Sequence, residues 1–125
     1  DTPEDSHQAF KNYLDSQPKS IAGAVIAETH PIFRGVYRAC REKGIRIPLD
    51  LSIVDGELGA FESDLHGFRP TWINLQPEVV GRESAVRLID WLQKDQQGDS
   101  EYVPDSLVVE PRLIPGDSTA SPVNR

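Results

Sequence analysis

The segment Gly44-Ile45-Arg46-Ile47-Pro48-Leu49-Asp50-Leu51-Ser52-Ile53-Val54 constrains this chain most, because it closes one kind of element and opens another in immediate succession. A glycine at the end of an amphipathic run supplies the left-handed C-terminal cap that other residues resist. Pro48 keeps the helix from resuming, so the next element must be extended. Residues 51–54, apolar but for Ser52, then read as a short buried strand. Helix, turn and buried strand in that order point to an alternating α/β plan.

The rest of the chain fits this plan. Thr2-Pro3-Glu4-Asp5 reads as a helix start, with Thr2 able to cap exposed N–H groups, Pro3 at the first position and acids in the first turn. That helix should reach about Ser16 and bury Phe10, Tyr13 and Leu14. Residues 23–27 are too short and too uniformly apolar for anything but a buried strand of the parallel kind. Phe33, Val36, Tyr37 and Cys40 share one helix face, so residues 31–43 should pack back on the sheet. Residues 58–69 are irregular and read as a loop with room for one helical turn. A strand over 71–75 precedes a helix over 77–94, whose apolar stripe is Ala85, Leu88, Ile89 and Leu92, widened by Trp91. Two short extended pieces, 106–109 and 112–114, flank Pro111. From Pro115 to Arg125 the chain is small, polar and proline-containing, the composition of a disordered tail.

Strands alternating with helices imply a parallel sheet, and such sheets bind ligands beyond the carboxyl ends of their strands. The chemistry-bearing candidates are therefore Glu28, Thr29 and His30 after one strand, and Asp55 and Glu57 after the next. Carboxylates and hydroxyls there can accept hydrogen bonds from ligand hydroxyls, and Gly56 lets backbone approach closely. The plainer alternative is that Thr29 caps the following helix and the acids are solvated. Glu28 and Glu57 could also act as the acid and base of a glycoside hydrolase, which needs two carboxyl groups facing one bond. Nothing else supports an enzyme: there is no nucleophile motif, no phosphate-binding glycine loop, and no metal spacing among His7, His30 and His66. No catalytic residue, metal or cofactor is expected. His30 reads as a first-turn helix residue rather than a general base, and Cys40 as core rather than nucleophile.

Charge and composition narrow the partners. With 13 basic residues against 20 acidic ones, and no basic run, this segment should not grip nucleic acid itself. Arg34, Arg38, Arg41, Lys43 and Arg46 gather along one helix and its exit, where cations complement the carbonyl end. No apolar run reaches the length of a bilayer span. The single cysteine excludes an internal disulfide framework and favours a reducing, intracellular location. A start at Asp1 and the lack of methionine suggest a piece of a longer polypeptide.

The string G-I-x-I-P-x-D-L-S-I-V also resembles a stretch near the end of the sensor domain of LacI/GalR-type bacterial transcription regulators, where helix, V-P-x-D turn and strand recur in that order. Gly23-Ala24-Val25-Ile26-Ala27-Glu28-Thr29 resembles the family's apolar strand with its polar pair, and residues 32–43 the helix after it. Trp72-Ile73-Asn74-Leu75-Gln76-Pro77 is similar to its strand ending in Gln-Pro, and Gly81-Arg82-Glu83-Ser84-Ala85 to its Gly-Arg-opened helix. The likeness covers roughly residues 21–118. It implies an α/β fold, a parallel sheet flanked by helices, forming part of a two-lobed, periplasmic-binding-protein-like (type I) sensor domain. Residues 1–118 would be the C-terminal part of that domain and 119–125 a disordered tail.

The function implied is that of a cytoplasmic regulator. It binds a small-molecule effector, a sugar or sugar derivative, works as a homodimer, and reaches DNA through a domain not in this chain. The alternative is a periplasmic sugar-binding protein of a transport system. The effector contacts implied are Glu28, Thr29, Asp55 and Glu57. The family commonly places Asn-Asp after the first strand and Gly-aromatic-Asp-Asp after the second, where this chain has Glu28-Thr29 and Asp55-Gly56-Glu57-Leu58. Glu57 thus falls at an acidic place, Glu28 replaces a neutral amide with a charge, and Gly56 replaces the aromatic. Two carboxylates would suit an effector with amine or additional donor groups. The dimer surface implied is made by Ile32, Phe61, Leu65 and Phe68.

Overall fold

The structure, a computed structural model, describes residues 2–16, 23–57, 67–99 and 101–121. Its elements run α1 (Pro3–Ser16), β1 (Ala24–Ala27), α2 (His30–Glu42), β2 (Ser52–Asp55), β3 (Thr71–Asn74), α3 (Pro77–Gln96) and β4 (Arg112–Ile114). They divide into two compact units, one of Asp1–Asn74 with Leu113–Arg125, the other of Leu75–Arg112.

In the first unit the described strands form one sheet in the order β1-β2-β3-β4. β1 and β2 pair in parallel with Ala27 opposite Asp55, and β2 pairs in parallel with β3, Asp55 opposite Trp72. Residues alternate between faces along a strand. Val25, Ala27, Ile53 and Asp55 therefore share one face, and α2 packs on it. The core comprises Ala27, Phe33, Val36, Cys40, Leu51 and Ile53, bordered by Phe10, Val25, Ile32, Tyr37, Ile45, Ile47 and Phe68. Each large side chain removed from water there contributes roughly 1.5–3 kcal/mol. Burial raises the Cys40 thiol to about 12, so the sulfur is a packed apolar group rather than a thiolate.

Local chemistry fixes the helix starts and stops. Thr2 caps α1 reciprocally: its hydroxyl accepts the Asp5 N–H at 3.2 Å, while the Asp5 carboxylate accepts the Thr2 N–H at 3.0 Å. The Thr2 N–H, together with the Thr2 hydroxyl donating to the same carboxylate at 2.9 Å, holds the Asp5 carboxyl below its ordinary range. α1 lies across α2 at Gly35, where a Cβ would come within 2.5 Å of the Pro3 carbonyl oxygen and 2.6 Å of the His7 nitrogen. A polar seam borders the crossing, with His7 Nε2 2.8 Å from the Glu42 carboxylate and Arg38 Nε donating to Glu42 at 3.1 Å. Gly44 ends the helical run with φ 70°, the left-handed stop expected of it. The Ile47–Pro48 peptide bond is cis.

Beyond Pro115 the structure departs from the expected tail. Ser118 is fully buried, accepts the Thr71 N–H at 2.7 Å and donates to the Ile53 carbonyl at 2.5 Å. Its own carbonyl accepts the Ile53 N–H at 2.8 Å, and Thr119 pairs hydroxyl to hydroxyl with Thr71 at 2.7 Å. Small polar residues look like tail in composition. Here they satisfy strand groups that would otherwise be buried without partners, a loss of about 1–3 kcal/mol each. Residues 122–125 lie outside the described ones.

The second unit holds α3 and the segment after it. Arg87 ties them, donating to the Asp105 carbonyl at 3.2 Å and to the Glu83 carboxylate at 2.9 Å. The Gln76 side chain donates to the Glu110 carbonyl at 2.6 Å. No residue of α3 is buried, and its apolar stripe is open: Leu88, Ile89, Trp91 and Leu92 are 44–55% exposed. The piece at 106–109 expected as extended strand is without regular structure.

Candidate functional site

The carboxyl ends of β1 and β2 lie side by side, because the parallel register sets Ala27 against Asp55. Glu28 and Thr29 follow one strand and Gly56 and Glu57 the other, so the sequence-derived candidates share one edge of the sheet. The turns are locked together by backbone, with the Gly56 N–H donating to the Ala27 carbonyl at 2.6 Å. A Cβ on residue 56 would lie 2.7 Å from that oxygen and 2.9 Å from the Glu28 carbonyl carbon. Gly56 thus stands where the resemblance expects an aromatic residue because the β1–α2 turn occupies the side-chain position. Its close approach is to the chain's own backbone.

The four candidates differ in what they present. The side chains of Glu28 and Glu57 are exposed and carry no hydrogen bond or ion pair among the described residues. Thr29 is the N-cap residue of α2, yet its hydroxyl makes no capping bond. Thr29 as a helix cap, the plainer sequence expectation, is therefore not what the structure shows. Asp55 is fully buried, with one carboxylate oxygen 2.5 Å from His30 Nδ1 and the other accepting the Glu57 N–H at 3.2 Å. Both oxygens are engaged within the protein.

His30 is the residue that sequence reasoning placed correctly but understood least. It is the first residue of α2, as expected, and is 8% exposed. Its ring stacks on Phe33 with centroids 6.0 Å apart, and its Nε2 is buried without a hydrogen-bond partner among the described residues. The available signal was two titratable residues just past neighbouring strands, but no spacing rule said that they touch.

Of the residues expected at a dimer surface, Ile32 and Phe68 are half-buried against the core of the first unit, and the Phe68 ring meets Tyr37 at 5.1 Å. Their apolar surface is thus partly used inside the unit. Phe61 and Leu65 lie outside the described residues. Among the described residues, no group of His, Cys, Asp and Glu is arranged to hold a metal ion, and no helix is long and apolar enough to cross a membrane.

Hydroxyls and carboxylates at the strand ends lie where parallel sheets bind ligands. The model of the periplasmic binding protein-like domain matches residues 2–119, and the chain belongs to that family. Its fold is that of LacI-family transcription regulators. A regulator of this family from Bifidobacterium animalis subsp. lactis DSM 10140 is 25% identical, with a TM-score of 0.75 over 95% of this chain and 41% of its own. One from Arthrobacter sp. FB24, solved in complex with lactose, is 22% identical, with a TM-score of 0.71 over 96% of this chain and 43% of its own. The lac repressor dimer bound to operator and the anti-inducer ONPF is 20% identical, with a TM-score of 0.73 over 96% and 39%. The chain thus spans about two-fifths of the length of these structures. Among curated proteins, none matches the sequence.

Proposed function

We infer that this chain is the C-terminal part, residues 1–118, of the effector-sensing domain of a bacterial transcription regulator. It binds a small molecule, a sugar or sugar derivative, and modulates DNA binding by a separate upstream domain. The observation that carries this is the strand-end edge bearing Glu28, Thr29 and Glu57, whose side chains make no hydrogen bond among the described residues, in a chain of the periplasmic binding protein-like family. The open apolar stripe of α3 supports the assignment to a larger domain, since a helix with such a face requires a covering surface. The Arthrobacter regulator's complex with lactose supports the effector class. The chain performs no catalysis and acts in the cytoplasm. Control requires the effector to prefer one arrangement of the sensor, because a ligand binding both equally shifts nothing.

Glu57→Ala in the full-length protein should weaken effector binding by roughly 1.5–3 kcal/mol, the worth of a hydrogen bond to a charged group, while leaving the fold intact. Isothermal calorimetry reads this directly, and an unchanged affinity would remove Glu57 from the site. The regulator pairs as a homodimer through a surface that includes Ile32, Phe61, Leu65 and Phe68. A two-fold interface presents the same patch from each copy. Analytical ultracentrifugation of the full-length protein should therefore give twice the chain mass, and a monomer at micromolar concentration would refute the pairing.

A further inference from the structure

We propose that the cavity between α3 and residues 105–109, which shares no residue with the strand-end edge, binds a free aliphatic amino acid. Two clips hold this segment along the helix. Arg87 Nε donates to the Asp105 carbonyl at 3.2 Å, and the Gln76 side chain donates to the Glu110 carbonyl at 2.6 Å. Between the clips α3 presents Val80 and Ser84, two small side chains one turn apart, and a solvent-open space of about 310 Å³ is left beside them. Ligand pockets run from about 300 to 1,000 Å³, so the occupant is small.

The ligand class comes from charges that lie close together. Arg87 Nη1 donates to the Glu83 carboxylate at 2.9 Å and to the Glu83 carbonyl at 3.1 Å. The Arg87 bond holds the Glu83 carboxyl below its ordinary range, so the two side chains are both charged and neutralise one another. Among the described residues, Arg87 Nη2 and the Asp105 carboxylate make no hydrogen bond. Because the guanidinium touches the Asp105 backbone, unspent cationic donors and an unspent anionic acceptor stand within one residue's reach. An α-amino acid carries both complementary charges on a single carbon. Its carboxylate accepts from Arg87 Nη2, and its ammonium donates to Asp105. A lone anion would meet the uncompensated Asp105 charge, and a lone amine would leave the Arg87 N–H groups to water. The Ser84 and Ser106 hydroxyls also line the cavity without a hydrogen bond among the described residues, and each can serve either charge. Val80, Leu107 and Val109 supply apolar surface, which suits an aliphatic side chain.

The test titrates the full-length protein with L-leucine, with leucinamide, which lacks the carboxylate, and with N-acetylleucine, which lacks the ammonium. Leucine should bind saturably in calorimetry and shift the amide resonances of Ser84 and Ser106. Each of the other two should bind at least about ten-fold more weakly, the worth of one lost charge-assisted hydrogen bond. Ser84→Leu fills the cavity from a helix position that favours leucine, so the melting temperature should stay near that of the wild type while leucine binding is lost. Asp105→Asn should weaken leucine about ten-fold and leave N-acetylleucine unchanged. No saturable leucine binding, undiminished binding in Ser84→Leu, or shifts confined to residues outside 80–109 would overturn the site. If Ser84→Leu does not fold, Asp105→Asn decides, and an unchanged leucine affinity there overturns the proposal. Equal affinity for all three probes would overturn the ligand class.

Discussion

Phe33→Ala should cost about 3–5 kcal/mol of folding stability, the range for deleting a fully buried aromatic side chain. Phe33 has no exposed surface and lies at the centre of a run of rings, 6.0 Å from His30 on one side and 6.0 Å from Tyr37 on the other. Truncation removes apolar contact and leaves a cavity between α2 and β1–β2, in the cluster that includes Ala27, Leu51 and Ile53. Small domains carry roughly 5–15 kcal/mol in total, so this single change uses a large share. Urea denaturation should show a lower midpoint with an unchanged slope. A loss under about 1 kcal/mol would show that the ring does not sit in a close-packed core.

Asp55→Ala should be nearly as damaging, at about 3 kcal/mol or more, but for an electrostatic reason. Removing one member of a buried hydrogen-bonded pair leaves the other uncompensated. Among the described residues neither ring nitrogen of His30 would then have a partner, and the Glu57 N–H would lose its acceptor. The pairing can be isolated by a double-mutant cycle. The double variant His30→Ala, Asp55→Ala should cost clearly less than the two single losses added together. Simple additivity would show that the two side chains do not stabilise one another.

Much of the first unit was legible in the sequence because its signals are local. The Thr2-Pro3 start and the Gly44 stop depend on the backbone within a few residues. α1 and α2 accordingly begin and end within a residue or two of where periodicity and capping set them. β1, β2 and β3 were legible as short apolar runs between breakers. Their register placed Glu28, Thr29, Asp55 and Glu57 at one edge, as the strand-end rule requires. The stripe of α3 was also correctly read as helical, but helical spacing says nothing about whether the covering surface is present. Its apolar residues stand open.

What the sequence by itself determined is the order and type of the elements, hence the parallel sheet and the edge at which a ligand would be met. Only the tertiary structure decided what individual polar residues do there. Ser118 meets Ile53 across a separation of 65 residues and Thr71 across 47, so its hydroxyl is structural, where composition alone described a tail. His30 and Asp55 are 25 residues apart and pair because two turns at neighbouring strand ends converge. Gly56 is small because the turn after β1 fills the space a side chain would need. The reason for the division is physical. Capping and periodicity are set within one or two turns of chain, whereas a buried polar group takes whichever partner the folded backbone brings within about 3 Å, and no local pattern encodes that choice.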